Sequence, residues 1–210
     1  IILSEENKGL AKSIIDGVSV VLQSYENVIV LEDDLITSSN FLSFMNDSLS
    51  IYKDRDDIQS INGYSPSIKK FSTVNSDVFL HKRTFSWGWA TWSRYWNREI
   101  FNPENIKTII NNKEFSREFN QDCGQDMFNM LKSAYLGTID SWYIYWALNH
   151  YLNKRLAIYP YISKIENIGY GSESTHCEGI LAIESQFDFE CDSNFILPGS
   201  IEINKMESLE

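Results

Sequence analysis

The stretch that most constrains this chain is a short apolar run that ends in three consecutive acids. Residues 28–31 have the length and the β-branched content of a buried strand, and Glu32, Asp33 and Asp34 follow them directly. Acidic residues are disfavoured inside strands, so we expect the strand to end here. In α/β sheets, ligands bind just outside the carboxyl ends of the strands. The run therefore predicts a functional site at the end of a sheet strand.

Three adjacent carboxylates repel one another unless a cation or hydrogen-bond donors stabilise them. Carboxylate oxygens are ligands that Mg²⁺ and Mn²⁺ prefer, and through such an ion the acids can hold a diphosphate. A plainer alternative is that Asp33 and Asp34 cap the next helix or lie in a solvated turn. The position of these acids directly after an apolar strand favours the cation site.

Helical and strand-like patterns alternate around the acids. Apolar residues at helical spacing predict an amphipathic helix over 8–23, and a second helix is expected after the N-cap signal Ser39-Asn40. A short strand over 58–61 ends at the turn signal Asn62-Gly63. Further helices are predicted over 103–110, 123–134 and 141–151, and short strands over 78–80 and 156–159. This order predicts the α/β class, with a mostly parallel sheet flanked by helices.

The charge and the cysteines exclude some classes of protein. The net charge is −11, whereas a protein that binds nucleic acid needs a basic face. Cys123, Cys177 and Cys191 are odd in number and form no CxxC pair, which indicates a reducing, cytoplasmic compartment and predicts no zinc site. No apolar run in the sequence reaches the roughly 18 residues that a transmembrane helix needs. We therefore expect neither a nucleic-acid partner nor a transmembrane segment.

The two ends of the chain differ from its centre. Residues 1–3 resemble the end of a strand, and the chain does not begin with Met, so we expect it to be part of a longer protein. Residues 184–210 contain seven acids and one Lys. We predict one domain over 1–180 and an acidic C-terminal extension over 181–210. In this extension, residues 186–190 alternate like an edge strand, and the last dozen residues are expected to be disordered.

Aromatic residues are unusually frequent, at 14% of the chain. They are densest over 85–92, where Trp87 and Trp89 flank Gly88. Aromatic rings pack against the apolar face of a pyranose, and a glycine lets the backbone approach a ligand closely. We predict that this segment is a loop and that these three residues bind the substrate. Core packing is the alternative for any single Trp.

Four motifs follow one another along the chain. They are Leu31-Glu32-Asp33-Asp34, Trp87-Gly88-Trp89, Ile139-Asp140-Ser141-Trp142 and a tail from Asn167-Ile168-Gly169 to Thr175-His176. Together they resemble GT-A-fold glycosyltransferases, in particular bacterial sugar transferases similar to animal N-acetylglucosaminyltransferase I. The resemblance covers about residues 5–177 and implies a GT-A-like, Rossmann-like fold. In that fold a first strand with part of the nucleotide pocket precedes the segment that begins here. The chain is therefore expected to be truncated at its N-terminus and to be inactive without that strand.

The resemblance also assigns roles to residues of the motifs. It implies that Asp34 is the direct ligand of Mn²⁺ or Mg²⁺, that Asp33 contacts ribose or sugar hydroxyls, and that Glu32 contacts the donor sugar. It implies further that Asp140 is the catalytic base. Finally, it implies that His176 reaches the metal or the diphosphate from a C-terminal loop.

Reaction chemistry agrees with the main roles. A diphosphate leaving group gains about two negative charges as the glycosidic bond breaks, and a bound cation stabilises them. One carboxylate that takes the proton of the acceptor hydroxyl, opposite the leaving group, is sufficient for transfer with inversion. For Asp140 the alternative is a structural one, because Asp is among the best N-caps for the helix predicted over 141–151.

The expected function is the metal-dependent, inverting transfer of a hexose or N-acetylhexosamine from a nucleotide-sugar, with UDP as the favoured nucleotide. The acceptor would be a hydroxyl of a glycan or glycolipid, in the synthesis of a bacterial surface polysaccharide. Two other classes stay open. One is a non-catalytic carbohydrate-binding or scaffold module, in which the aromatic residues bind and the acids cap helices. The other is a metal-dependent phosphohydrolase that uses Asp33 and Asp34.

Overall fold

The computed structural model describes residues 3–67, 75–169, 185–201 and 203. These residues form both helices and strands, including a five-stranded sheet, which confirms the α/β class. The helices are α1 (Leu10–Leu22), α2 (Phe41–Ile51), α3 (Lys113–Cys123), α4 (Met127–Tyr135) and α5 (Tyr143–Leu152). The strands are β1 (Asn27–Val30), β2 (Leu35–Thr37), β3 (Ile58–Asn62), β4 (Val78–His81), β5 (Trp89–Trp92), β6 (Leu156–Pro160) and β7 (Ile165–Asn167). None of these described helices is long and apolar enough to span a bilayer.

Five of the described strands form one mixed sheet in the order β1-β5-β3-β6-β4. Within it, β3 and β6 are parallel neighbours, and the other three neighbouring pairs are antiparallel. The prediction of a mostly parallel sheet is therefore wrong. The main cause is β5, which the sequence predicts to be part of a loop. It runs between β1 and β3 in the opposite direction, with Trp89 opposite both Val30 and Asn62.

The strands β1, β3 and β6 nonetheless share one direction, because β5 is antiparallel to β1 and β3 and β6 is parallel to β3. Their carboxyl ends therefore meet at one edge of the sheet, here named the carboxyl edge. The acids that follow β1 and the Asn62-Gly63 turn that ends β3 lie at this edge, beside the residues that lead into β5. A two-stranded ribbon follows the acids, with Leu35 of β2 opposite Asn167 of β7. The topology thus brings the acids, the Trp87-Gly88-Trp89 segment and the described start of the tail motif, residues 167–169, to one place.

Four tryptophans form a central part of the core, named here the Trp cluster (Trp89, Trp96, Trp142 and Trp146). Trp89 stacks on Trp142 with ring centroids 4.9 Å apart and planes 25° apart, and it also contacts the other two rings. Trp96 donates a hydrogen bond from Nε1 to Oγ of Ser19 on α1, at 3.0 Å. The cluster joins α1, β5 and α5, so much of the aromatic content serves packing.

The helices between β5 and α5 differ from the predicted ones. The helix predicted over 103–110 is reduced to a single 3₁₀ turn, Pro103–Ile106, and α3 begins later in the chain. The side chain of Asn112 starts α3, because it accepts hydrogen bonds from the backbone N–H groups of Glu114 and Phe115 at 3.0 and 3.1 Å. Apolar periodicity missed α3 because most residues of this helix are polar.

The described part of the C-terminal extension packs against the domain. Lys164 and Asp188 form a buried ion pair, and Asp188 also accepts a hydrogen bond from Nδ2 of Asn40 at 2.8 Å. In the described residues, the edge strand predicted over 186–190 is reduced to a single β-bridge at Phe187. This network anchors the extension at the start of α2, next to the β2–β7 ribbon.

Candidate active site

The acids lie in the turn between β1 and β2. Glu32 and Asp34 are half-buried, whereas Asp33 is exposed. The main-chain carbonyl of Asp34 accepts a hydrogen bond from the N–H of Ile168 at 3.0 Å, which continues the pairing of β2 with β7. The carboxylate of Asp34 lies against Gly169, where a methyl group would overlap it. Two motifs that are far apart in the sequence are therefore in direct contact.

One oxygen of Asp34 is chemically unusual. Its Oδ1 is buried and has no hydrogen-bond partner among the described residues. No ion pair within the described ranges involves Glu32, Asp33 or Asp34. A buried carboxylate oxygen without a donor is costly unless the group binds a cation or takes up a proton. The site therefore fits a hard divalent cation such as Mg²⁺ or Mn²⁺.

The described residues do not supply a complete set of protein ligands for such an ion. They contain no group of three His, Cys, Asp or Glu side chains placed to hold a metal. Mg²⁺-type ions keep several waters and bind through one or two carboxylates together with phosphate oxygens of the substrate. A single carboxylate, that of Asp34, is in keeping with that kind of site. The second predicted ligand, His176, lies outside the described residues.

Glu32 has the most strongly perturbed carboxyl group of the site. Burial, and then the negative charges of Asp34 and Asp33, raise the pKa of Glu32 to about 7 from the ordinary value of 4.5. Such a shift marks a group whose charge is not compensated by the protein around it. Strongly shifted carboxyl groups concentrate at functional sites, because catalysis and ligand binding use uncompensated charge.

Asp140 is held by α1 and not by α5. The latter helix begins at Tyr143 with Trp142 at the N-cap position, so the predicted capping role of Asp140 for α5 is wrong. Instead, Oδ2 of Asp140 accepts a hydrogen bond from the backbone N–H of Ala11, in the first turn of α1, at 3.2 Å. Gly9 is so close that a methyl group there would come within 2.8 Å of the same oxygen. The first N–H groups of a helix lack partners within the helix, which is why a carboxylate binds there.

Asp140 and the acids lie toward the same edge of the domain. Trp142, two residues after Asp140, stacks on Trp89, and Trp89 is the register partner of Val30. Helix α1 packs on β1 and is joined to it by a short connection, so the two elements run in opposite directions. The first turn of α1 therefore lies toward the C-terminal end of β1. Asp140 also lines a cleft of about 370 Å³ beside that turn. The fold therefore brings a candidate cation site and an exposed carboxylate to the carboxyl edge.

The aromatic motif mostly serves packing. Trp89 is fully buried in the Trp cluster and offers no face to a sugar, so the predicted substrate contact of this ring is wrong. Gly88 has a φ of +59°, and a methyl group there would lie 2.6 Å from Ile165, so the fold itself requires this glycine. Trp87 is half-buried and meets Tyr64 edge-on, with ring centroids 4.6 Å apart. Of the three predicted contacts, Trp87 is the one that keeps accessible surface.

Asn62 is a candidate that the sequence reasoning missed. Its Oδ1 accepts hydrogen bonds from Oγ1 of Thr84 and from the N–H of Phe85, both at 3.2 Å. Its Nδ2 is buried and has no partner in the part of the chain that the structure describes. The Asn62 side chain is fully buried, so this donor could serve only a water or a ligand group that enters the interior behind the carboxyl edge. The available signal is an Asn that ends a short strand, where Asn62-Gly63 is equally a turn signal.

Comparison with known proteins adds no assignment to this geometry. Neither a protein-family model nor a curated protein sequence matches the chain. Function is therefore inferred from the acidic turn, the carboxylate at the start of α1 and the carboxyl edge of the sheet.

Proposed function

We propose that this chain is the core of a GT-A-like glycosyltransferase that moves a sugar from a nucleotide-sugar, with UDP as the favoured nucleotide, to a hydroxyl of a glycan or glycolipid. The observation that carries the proposal is the buried, unpartnered Oδ1 of Asp34 at the carboxyl edge, where the described residues offer it no donor. The cysteine usage is in keeping with a cytoplasmic enzyme of polysaccharide synthesis.

The acidic turn serves the donor in this proposal. Asp34, with His176 as its proposed second ligand, would hold Mn²⁺ or Mg²⁺. When bound, this ion would neutralise the charge that develops on the departing diphosphate. Asp33 is exposed and Glu32 half-buried beside it, so their carboxyl groups are placed to accept hydrogen bonds from ribose or sugar hydroxyls.

Asp140 serves the acceptor. One of its oxygens is held by Ala11, and the other accepts no hydrogen bond from any described residue, so it can take a proton. As the acceptor oxygen bonds to the anomeric carbon, its proton passes to Asp140, and the nucleoside diphosphate leaves from the opposite face with the bonding electron pair. One base and one displacement invert the anomeric configuration. Anomeric NMR of the product measures this outcome, and a retained configuration contradicts it.

Calorimetric titration of UDP, with and without Mn²⁺, on protein that includes the expected N-terminal strand tests the donor site. We expect UDP binding that requires Mn²⁺ and that weakens at least tenfold in Asp34→Asn. Asp47→Asn is the matched control, because Asp47 is an exposed residue of α2, outside the acidic turn. The proposal would be contradicted if the affinity for UDP did not depend on Mn²⁺, or if it were the same in Asp34→Asn and in the control.

A non-catalytic carbohydrate-binding module is the second candidate. The accessible surface of Trp87, next to Tyr64, favours it, because a partly exposed ring can stack on a pyranose. This candidate predicts glycan binding that is independent of metal, unaffected by Asp34→Asn and lost in Trp87→Ala. The titrations therefore separate the two functions.

A further inference from the structure

A cleft beside Asp140 lies outside the donor site. Its volume is about 370 Å³. One wall is the first turn of α1 and the opposite wall is the end of α4 with the segment over 137–142 that leads to α5. Ligand pockets have volumes of about 300–1,000 Å³, so this cleft is at the small end of that range and holds one ring-sized group.

The charge of the cleft excludes an anionic ligand. None of the described residues that line it is Lys or Arg, and Asp140 is its one carboxylate. The N-terminus of α1 would ordinarily attract an anion, but its N–H at Ala11 is already bound to Oδ2 of Asp140. A phosphate or a nucleotide would therefore meet the negative charge of Asp140 and no cationic side chain among the described lining residues. The cleft suits a neutral ligand that donates hydrogen bonds.

The walls of the cleft are amphipathic. Ile15, Phe101 and Ile139 supply apolar surface, whereas Asp140 and Ser141 supply hydrogen-bonding groups along one side. A pyranose has the matching character, since its axial C–H groups form an apolar face and its hydroxyls form a polar rim. An aliphatic chain would leave the polar side unsatisfied, and a fully polar ligand would leave the apolar walls uncovered.

We propose that this cleft is the acceptor subsite and that it binds a single neutral pyranose with one hydroxyl directed to Asp140. The proposal rests on the proposed function and adds to it the chemical class and size of the acceptor group. Recognition is confined to one sugar ring, so acceptors that share the same terminal residue are used alike, whatever precedes it. Charged acceptor sugars, such as uronic acids, are rejected by Asp140.

Filling the cleft tests the proposal. Ala134 lines it at the end of α4, so Ala134→Phe would place an aromatic ring inside. Asn129→Phe is the matched control, because Asn129 is an exposed residue of the same helix that does not line the cleft. Ile139→Ser is a second variant, which removes apolar surface from the wall of the cleft. Ile139 is 39% exposed, so the fold should tolerate this change. Circular dichroism and thermal melting verify that all three fold.

The probe is a panel of methyl glycosides of neutral hexoses, N-acetylhexosamines and uronic acids, with binding measured by saturation-transfer NMR. We expect at least one neutral glycoside and no uronic acid to bind. We expect at least tenfold weaker binding in Ala134→Phe and Ile139→Ser, and parent-like binding in Asn129→Phe. Equal binding in Ala134→Phe and the control, or no glycoside binding by the parent protein, overturns the subsite.

Titration of UDP with Mn²⁺ on the same variants separates this proposal from the proposed function. If Mn²⁺-dependent UDP binding persists while the glycoside result fails, the acceptor subsite is wrong and the transferase proposal stands. If UDP binding is absent even from protein that includes the expected N-terminal strand and neutral glycosides still bind in the cleft, the transferase proposal fails and the cleft is a sugar site of a binding module.

Discussion

Replacing Glu32 by Gln tests the electrostatics of the acidic turn. Burial and the charges of Asp34 and Asp33 raise the pKa of Glu32 to about 7 from 4.5. Without solvent screening, this pKa shift corresponds to about 3 kcal/mol. The free energy of unfolding of the metal-free protein would be lower by that amount at pH 8, where Glu32 is ionised. Because Glu32 is half-buried and keeps contact with water, screening reduces the effect to about 1–2 kcal/mol.

The sign follows from proton linkage. At a pH below 4.5 the carboxyl group of Glu32 is protonated in both the folded and the unfolded states. As the pH rises from 4.5 to about 7, the unfolded chain ionises first, so the free energy of unfolding falls and stays lower at higher pH. Gln cannot ionise. We therefore expect Glu32→Gln to be more stable than the parent protein by about 1–2 kcal/mol at pH 8 and to match it at pH 4.5.

Urea unfolding followed by tryptophan fluorescence, in EDTA, measures this difference at the two pH values. Glu26→Gln is the control, because Glu26 is exposed and lies just before β1, at the opposite end of that strand from the acids. The control should change stability at neither pH. An effect of Glu32→Gln that is equal at pH 4.5 and pH 8, or a loss of stability at pH 8, would refute the reasoning.

Gly169→Ala should weaken Mn²⁺ binding at least tenfold by electron paramagnetic resonance, because a methyl group there overlaps the carboxylate of Asp34; Gly199→Ala, in open space, should not. Asp140→Asn keeps an oxygen for α1 but cannot take a proton, so in product assays on protein that includes the expected N-terminal strand we expect the transfer rate to fall about 10²–10⁴-fold with an unchanged melting temperature. Burial lowers the pKa of His150 to about 3, so the folded protein keeps this ring neutral while the unfolded chain protonates from pH 6.5 downward. In urea unfolding, the free energy of unfolding of the parent protein should fall by about 2 kcal/mol relative to that of His150→Phe between pH 7.5 and pH 5. The opposite effect of Glu32 over this range is common to both proteins and cancels in the comparison.

Local patterns predicted the elements that local chemistry determines. The helix expected over 8–23 is α1, and the strand that leads to the acids is β1, because helical periodicity and an apolar run end at clear signals. The strand β5 was missed because Gly88 and the tryptophans around it are equally compatible with a loop. Its strand conformation comes from pairing with β1 and β3, which are distant in the sequence.

In the candidate site, too, the features set by local sequence were predictable and those set by long-range contacts were not. The acids after β1 were predictable, since three carboxylates after an apolar run are unusual in any strand. The partner of Asp140 was not, because Ala11 lies at the other end of the chain and a capping residue looks the same in sequence whichever helix it caps. Likewise, the closeness of Gly169 to the acidic turn depends on the β2–β7 ribbon, whose strands are three residues long and give no periodic signal.

The stacked pair in the Trp cluster has a spectroscopic consequence. Two indoles with centroids 4.9 Å apart couple their electronic transitions, so Trp89 and Trp142 should produce an exciton couplet in circular dichroism. One ring belongs to the strand beside the acids and the other to the segment that carries Asp140. The other close pairs of the Trp cluster contribute as well, so the couplet reports in solution, without any label, whether the packing between these two segments is intact.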